Sequence, residues 1–140
     1  MLVLLDNGHG GLINGVYQNA GKQKDWGEKG IFYEGEFNRA IVNGIIEALT
    51  RLNIPYVNIT PEYRDVTLLT RVNRANRYNF KHAFLLSIHS NAGGGSGFEV
   101  FTTPGETRSD PIATIFGNAF LEEFPNQKIR TNFSDGDLDK

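Results

Sequence analysis

The chain has 140 residues, a length typical of one domain that can bury a hydrophobic core without disulfide support. A net charge of −2 with no run of basic residues excludes the charge pattern of most nucleic-acid-binding domains, and no apolar run reaches the roughly 18 residues of a membrane span. There is no cysteine, which excludes disulfides and thiolate metal sites, so any metal must be bound by nitrogen and oxygen.

Apolar runs and helical spacing predict strands and helices that alternate along the chain. We predict a buried strand at 1–6, a long loop at 7–30, a helix at 36–52, a strand at 54–60, a helix at 67–80, a strand within 82–89, a glycine-rich loop at 91–97, a strand at 98–103 and a helix at 110–124 with Asp110 as its N-cap. Such alternation predicts an α/β fold, a three-layer sandwich in which helices flank a mainly parallel sheet. We expect residues 1–140 to form a single domain.

Helical spacing also predicts which side chains of the first two helices are buried. The first helix is expected to bury Phe37, Ile41, Ile45, Ala48 and Leu52. The second is expected to bury Leu68, Val72 and Ala75, and to direct Arg71, Arg74 and Arg77 toward solvent, where Asp65 and Glu62 can pair with them.

Two of the three histidines, His9 and His89, directly follow predicted apolar strands, and small residues flank both. Imidazole is the commonest zinc ligand in proteins, and a catalytic zinc site needs three protein ligands and one open position. Glu34, where the long loop meets the first helix, is the best candidate for the third ligand because the helix dipole favours a carboxylate there. The alternative is that the histidines are loop residues bonded to backbone and that Glu34 is a solvated or capping carboxylate.

The long loop carries the aromatic residues Tyr17 and Trp26, and Tyr33 follows it. They fit either a platform on which a sugar stacks or a set of rings that folds the loop onto the body of the domain. A loop of this length is usually functional, so we expect residues 14–29 to border the substrate groove. The glycines around His9 lack the spacing of a nucleotide-binding loop, and no serine lies in a G-x-S-x-G motif.

Six segments together resemble the zinc-dependent N-acetylmuramoyl-L-alanine amidases, a family that includes bacterial autolysins and phage endolysins. They are LDNGHGG at 5–11, EGEFN at 34–38, RDVTL at 64–68, RVNRAN at 71–76, SIHSNA at 87–92 and GFEVF at 97–101. The resemblance implies that His9, Glu34 and His89 bind one Zn²⁺ per chain. It also implies hydrolysis of the amide bond between N-acetylmuramic acid and L-alanine in peptidoglycan, by a monomer acting at the bacterial cell wall.

The sequence departs from the family at its carboxyl end. The family places its general-base glutamate on a last strand beyond the third helix, and nothing in residues 126–140 resembles that strand. We therefore expect a C-terminally truncated amidase domain that lacks its last strand and helix, binds zinc and hydrolyses peptidoglycan poorly. Glu99 is a weak candidate for the base within the chain, because strand alternation could direct it toward the site.

Two other functions stay open at this point. One is a metal-binding but catalytically silent module that binds peptidoglycan, and the other is a metal-independent α/β domain whose histidines are structural. The apolar run at residues 2–5 is too short for a signal peptide, so the sequence leaves the export route open.

Overall fold

The computed structural model describes residues 1–90 and 96–130. The chain divides into two compact units, Met1–Ser90 and Asn91–Lys140. Within the described ranges, none of the helices has the length and apolar character needed to cross a membrane. The predicted glycine-rich loop at 91–97 lies mostly outside the described residues.

The first unit contains seven strands and two α-helices, and the second unit contains one α-helix within its described part. In chain order they are β1 (Leu2–Asp6), β2 (Leu12–Ile13), β3 (Val16–Tyr17), β4 (Gln23–Asp25), β5 (Ile31–Tyr33), α1 (Glu34–Arg51), β6 (Tyr56–Asn58), α2 (Leu68–Ala75), β7 (Ala83–Ser87) and α3 (Asp110–Glu123).

A parallel three-stranded sheet with the order β6-β1-β7 forms the centre of the first unit. Leu4 of β1 lies opposite Val57 of β6 and Leu85 of β7. Helix α1 connects β1 to β6, and α2 connects β6 to β7 in the opposite direction across the sheet. Right-handed crossovers that run in opposite directions place their helices on opposite faces of the sheet. Accordingly, α1 packs on the face of Val3 and Leu5, while α2 contacts Asp6, which alternation directs to the other face. The predicted α/β fold with a parallel sheet is confirmed.

The core between α1 and the sheet is built around Val3, Leu5 and Val42, all buried. The apolar residues that pack against this core are Ile45, Ile46, Leu49, Tyr56, Phe84, Leu86 and Ile88. The predicted inward face of α1 was therefore wrong for Phe37, Ile41 and Leu52, which are exposed. The true inward face begins with two polar residues, Asn38 and Arg39, so apolar spacing alone did not reveal it.

The helix α1 ends in a Schellman motif. Asn53 adopts a left-handed conformation with φ of 54°, which asparagine tolerates better than most residues. The Ile54 amide donates to the Leu49 carbonyl at 2.9 Å and the Asn53 amide donates to the Thr50 carbonyl at 3.1 Å. These bonds satisfy carbonyl groups at the end of the helix and turn the chain toward β6.

Arg39 is a buried cation that joins α1 to the segment after β6. Its Nη1 donates to the Pro61 carbonyl at 3.1 Å and its Nη2 donates to the Glu62 carbonyl at 2.7 Å. Its guanidinium also lies 4.3 Å from the centre of the Tyr63 ring. A planar fork that bonds two carbonyls and stacks on a ring is specific to arginine.

We expect Arg39→Lys to lower the free energy of unfolding by about 1–3 kcal/mol, because the buried side chain loses one of its two hydrogen bonds to the Pro61 and Glu62 carbonyls and the ring contact is lost. The midpoint of urea unfolding measures this. Arg51→Lys, at the exposed last position of the same helix, is the matched control and should be close to neutral. Equal shifts in the two variants would contradict the role assigned to Arg39.

The two faces of α2 agree with the prediction only in part, since Ala75 is half-buried and Arg77 is exposed as expected. Leu68, Leu69 and Val72 are exposed, whereas Arg71 turns toward the sheet and contacts Asp6. The predicted pairing of Arg74 with Glu62 is present, and Arg74 Nη1 also donates to the Ile59 carbonyl at 2.7 Å. Buried acceptors at the sheet edge determine the orientation of this helix, and its apolar residues do not.

The sequence had predicted a long loop at 7–30, but this segment contains regular structure. Strands β2 and β3 form one hairpin and β4 and β5 form a second one. The turn of the first is Asn14-Gly15, with φ of 50° and 77°. Positive φ at both turn positions is typical of a type I′ turn, for which Asn-Gly is the usual sequence.

In the second unit, the predicted helix is confirmed as α3, which begins with Asp110 and Pro111. Ser109, not Asp110, occupies the N-cap position, and the Asp110 carboxylate instead accepts from the amide and hydroxyl of Thr107. The predicted strand at 98–103 was wrong. Within the described residues only Phe98 is bridged, to Ile129, and a strand requires a paired ladder as well as alternation.

Candidate metal centre

The loop after β1 begins with buried polar residues that are fixed by the end of β6. The Asn7 backbone amide donates to Thr60 Oγ1 at 2.9 Å, and the Asn7 side chain donates to the Thr60 carbonyl. Gly8 then adopts φ of 74°, and a Cβ there would lie 2.4 Å from the Ile88 carbonyl oxygen. A glycine at position 8 therefore allows the loop after β1 to lie against the chain after β7, which brings His9 toward His89.

Asp6, the last residue of β1, contacts residues from four other segments of the first unit through its carboxylate. Its Oδ1 accepts from the Gly8 amide at 3.0 Å and from Thr60 Oγ1 at 2.9 Å. Its Oδ2 accepts from Ser87 Oγ at 2.7 Å and lies 3.4 Å from Arg71 Nη1. Burial by itself raises the pKa of Asp6, but the hydrogen bonds from Ser87 and Gly8 and the charge of Arg71 hold the pKa below its ordinary value of 3.8.

The start of α1 lies directly against the loop after β1. A Cβ at Gly35 would lie 1.8 Å from the Gly10 carbonyl oxygen, so only glycine permits this approach of helix and loop. The approach brings Glu34 beside His9. Glu36, in the same turn, accepts from the Leu12 amide at 2.6 Å and fixes the chain beyond the loop.

His9, Glu34 and His89 form one cluster. His9 Nε2 lies 3.4 Å and His89 Nδ1 lies 3.3 Å from Glu34 Oε1, and the two rings meet edge to face with centroids 4.9 Å apart. One ligand atom from each residue lies within 4.8 Å of the others. The cluster thus brings together the three residues named from the sequence.

Two of the three separations between the donor atoms of this cluster suit a tetrahedral zinc ion, and all three are within 4.8 Å. Two ligands that are each about 2.0–2.1 Å from a tetrahedral zinc ion are roughly 3.3 Å apart, which matches the two separations from Glu34 Oε1. His9 Nε2 is buried, and no residue in the described part of the chain makes a hydrogen bond with it. A buried polar atom without such a partner is what a metal ligand leaves when the metal is absent.

Protein groups also surround the outer side of the cluster. Ser90 donates its backbone amide to Glu34 Oε1 at 3.0 Å, and Lys22 Nζ lies 3.9 Å from Glu34 Oε2. Asn19 Nδ2 lies 3.3 Å and Asp65 Oδ1 lies 3.8 Å from His9 Nδ1. Burial lowers the pKa of His9 below its ordinary value of 6.5, although the Glu34 carboxylate raises it. The neutral ring, which is the metal-binding form, is therefore favoured.

Of the two roles that the sequence had left open for the aromatic residues of the 14–33 region, the contacts support the folding role for Tyr17 and Tyr33. Tyr17 accepts from the Gly35 amide at 2.7 Å and its ring lies 4.8 Å from that of Tyr33, so these two residues fold the hairpins onto α1. Trp26 is 56% exposed and stacks on Phe32. Through Tyr17, Asn19 and Lys22 the segment contacts the cluster and the start of α1, and its place beside a substrate groove stays a prediction.

Glu99, the candidate base named from the sequence, belongs to the second unit. Its Oε1 lies 2.7 Å from Arg130 Nη1 and its side chain is buried. The burial of Glu99 and its contact with Arg130 favour a structural role for this residue.

Sequence reasoning missed Asn19 altogether, Asp6 as a buried centre of hydrogen bonds, and Asp65 as a neighbour of His9. Asp65 had been read only as a surface partner for arginine. The signal for Asp6 was present, since an aspartate at the end of a strand buried on both faces must have partners. No comparable signal marked Asn19 or Asp65, because their contacts depend on how distant loops meet.

A family model described as N-acetylmuramoyl-L-alanine amidase matches residues 3–136, a range that includes His9, Glu34 and His89. No curated protein and no solved structure matches the chain. The family match spans nearly the full sequence and so applies to both compact units.

Proposed function

Since the chain belongs to the N-acetylmuramoyl-L-alanine amidase family, we propose that it is a zinc-dependent hydrolase of the amide bond between N-acetylmuramic acid and L-alanine. On this proposal, residues 1–140 are one amidase catalytic domain that acts as a monomer on peptidoglycan at the bacterial cell wall. One Zn²⁺ is bound per chain by His9, Glu34 and His89. The cluster of these three residues is the observation that carries the proposal.

The three ligands have different tasks in holding the ion. His9 is kept neutral by burial and directs Nε2 into the cluster. Glu34 contributes the negative charge, and the Ser90 amide orients its Oε1. His89 is the most exposed of the three, at 42% for its side chain against 9% for His9 and 7% for Glu34. When bound, zinc supplies Lewis-acid chemistry toward the amide carbonyl and the attacking water.

Amide hydrolysis also needs a group that takes a proton from water and returns one to the leaving nitrogen. The family resemblance implies that this group is a glutamate on a strand after the third helix. Nothing in residues 126–140 resembles that strand, so we propose that residues 1–140 by themselves are a slow enzyme. General acid–base help is typically worth about 10²–10⁴-fold. Because Glu99 is paired with Arg130, Glu99→Gln should lower turnover by far less than this factor.

The decisive experiment measures release of free L-alanine amino groups from a muramoyl-peptide and from purified cell walls. Two chains are compared, this one and one extended along its gene by about 40 residues, roughly a strand, a helix and their connections. We expect zinc-dependent release that chelation abolishes, and a rate about 10²–10⁴-fold higher for the longer chain.

Each other outcome has a defined meaning. Equal rates for the two chains would show that the base lies within residues 1–140, and a large loss in Glu99→Gln would then identify it. Release that survives chelation would contradict the zinc mechanism. Zinc binding without turnover by either chain would favour the silent peptidoglycan-binding module.

A further inference from the structure

We infer that Asp65 is a positioning residue for the metal centre. Its carboxylate holds His9 in the tautomer and the ring orientation that bind zinc through Nε2. The inference rests on the proposed function, in that a metal is taken to bind at the cluster. Asp65 comes from the segment after β6 and contributes no ligand atom itself.

The chemistry of imidazole determines where the ring proton of a metal-binding histidine must lie. A neutral ring has one N–H, so a histidine that binds metal through Nε2 must carry its proton on Nδ1. That proton needs an acceptor, and metal-binding histidines usually find one in a carboxylate or a carbonyl group. On the Nδ1 side of His9 the structure has Asn19 Nδ2, a donor, at 3.3 Å and Asp65 Oδ1, an acceptor, at 3.8 Å. Of these two groups only the Asp65 carboxylate can receive the proton.

The position of Asp65 is fixed by the same loop that carries His9. Its Oδ1 accepts from the Gly10 amide at 2.8 Å, and the Gly11 amide donates to the Tyr63 carbonyl at 2.8 Å. A Cβ at Gly10 would lie 2.6 Å from the Asp65 amide nitrogen, so the two segments run in close backbone contact. Asn19 Nδ2 lies 3.4 Å from Asp65 Oδ2 and supports the carboxylate from the other side.

The separation of 3.8 Å is longer than a hydrogen bond. Contacts at catalytic sites are often long without ligand and shorten when the ligand binds. We therefore expect this contact to shorten to hydrogen-bond length when the metal binds, because the Nδ1 proton is then required. In the free state the Asn19 amide can donate to Nδ1, which leaves the proton on Nε2, next to Glu34.

The test measures zinc affinity by competition with a chelating dye, together with the ring ¹⁵N spectrum of His9 in the zinc-bound chain. We expect Asp65→Asn to weaken zinc binding about 10–100-fold while one zinc per chain still binds. The Nδ1 proton of His9 should also exchange with water faster than in the unmodified chain. Asp25→Asn is the matched control, because the Asp25 carboxylate likewise accepts from a backbone amide, that of Gly27. It should leave both measurements unchanged.

A second variant separates this role from a general loss of structure. Asn19→Asp in the Asp65→Asn background places a carboxylate on the side chain that lies 3.3 Å from His9 Nδ1. We expect it to restore most of the zinc affinity and the protected Nδ1 proton. A double variant as weak as Asp65→Asn alone would overturn the need for a carboxylate at this place.

The remaining outcomes distinguish this inference from the proposed function. If the unmodified chain binds zinc and Asp65→Asn binds it equally well, the inference is overturned and the zinc site is not. If Asp65→Asn loses stoichiometric binding as a ligand variant would, Asp65 is itself a ligand and the inference is again overturned. If the unmodified chain binds no zinc, both the role inferred for Asp65 and the proposed zinc-dependent function are overturned.

Discussion

Replacing His9 with alanine is expected to weaken zinc binding by about 10²–10³-fold. Zinc held by four protein ligands is bound by about 10–16 kcal/mol, which is roughly 2.5–4 kcal/mol per ligand, and about 1.4 kcal/mol corresponds to a tenfold change. Hydrolysis should fall with the metal content. The metal-free variant should also unfold at a lower urea concentration than the metal-free parent, because the His9 ring is buried, contacts Asn19 through Nδ1 and packs on His89.

The third histidine provides the control for this substitution. His82 is exposed and lies just before β7, at the end of that strand opposite to His89. His82→Ala should bind zinc like the parent chain. Zinc content and affinity are measured by metal analysis and dye competition. An unchanged affinity in His9→Ala, or an equal loss in His82→Ala, would refute the assignment of the ligands.

Asp6→Ala is expected to lower the free energy of unfolding by about 3–5 kcal/mol, a large part of the stability of a small domain. The substitution leaves Arg71 without its buried partner and removes the acceptor for Gly8, Thr60 and Ser87. Asp6→Asn keeps the shape and part of the hydrogen bonding, so it should cost less. Urea unfolding at neutral pH measures both variants.

The pH dependence of this effect follows from the lowered pKa of Asp6. A carboxyl group whose pKa is lower in the folded chain stabilises the fold at pH values above its unfolded pKa, near 3.8. That contribution is lost as the pH falls through the lower folded value. The gap in stability between the parent chain and Asp6→Asn should therefore be constant near neutral pH and shrink below about pH 4. A gap that persists unchanged in acid would show that the charge of Asp6 is not what stabilises the fold.

The three residues of the candidate metal cluster could be named from the sequence, the two histidines by a local rule and Glu34 with the added support of the family resemblance. His9 and His89 stand just beyond apolar strands, and the carboxyl ends of parallel strands meet at one edge of the sheet. Glu34 stands at a helix start, where a carboxylate is favoured. None of these rules requires knowledge of which distant segments touch.

The orientation of the helices and the surroundings of the ligands could not be predicted in this way. The inward face of α1 carries Asn38 and Arg39, and that of α2 carries Arg71. Arg39 bonds backbone carbonyls of the segment after β6, and Arg71 contacts Asp6. Apolar periodicity cannot detect a face that is selected by distant acceptors. The Asn14-Gly15 turn is different, because it is a strong local signal for a hairpin that should have been recognised.

The contact between Gly35 and the Gly10 carbonyl has a consequence for the order in which the ligands meet an ion. The backbone of α1 lies directly against the backbone of the loop after β1 at this contact. The distance between the backbone positions of His9 and Glu34 is therefore fixed before an ion binds. His89 comes from a different strand end, and its side chain is far more open to solvent than those of the other two. On the proposed zinc assignment, we therefore expect an incoming ion to contact His89 before the two buried ligands, His9 and Glu34.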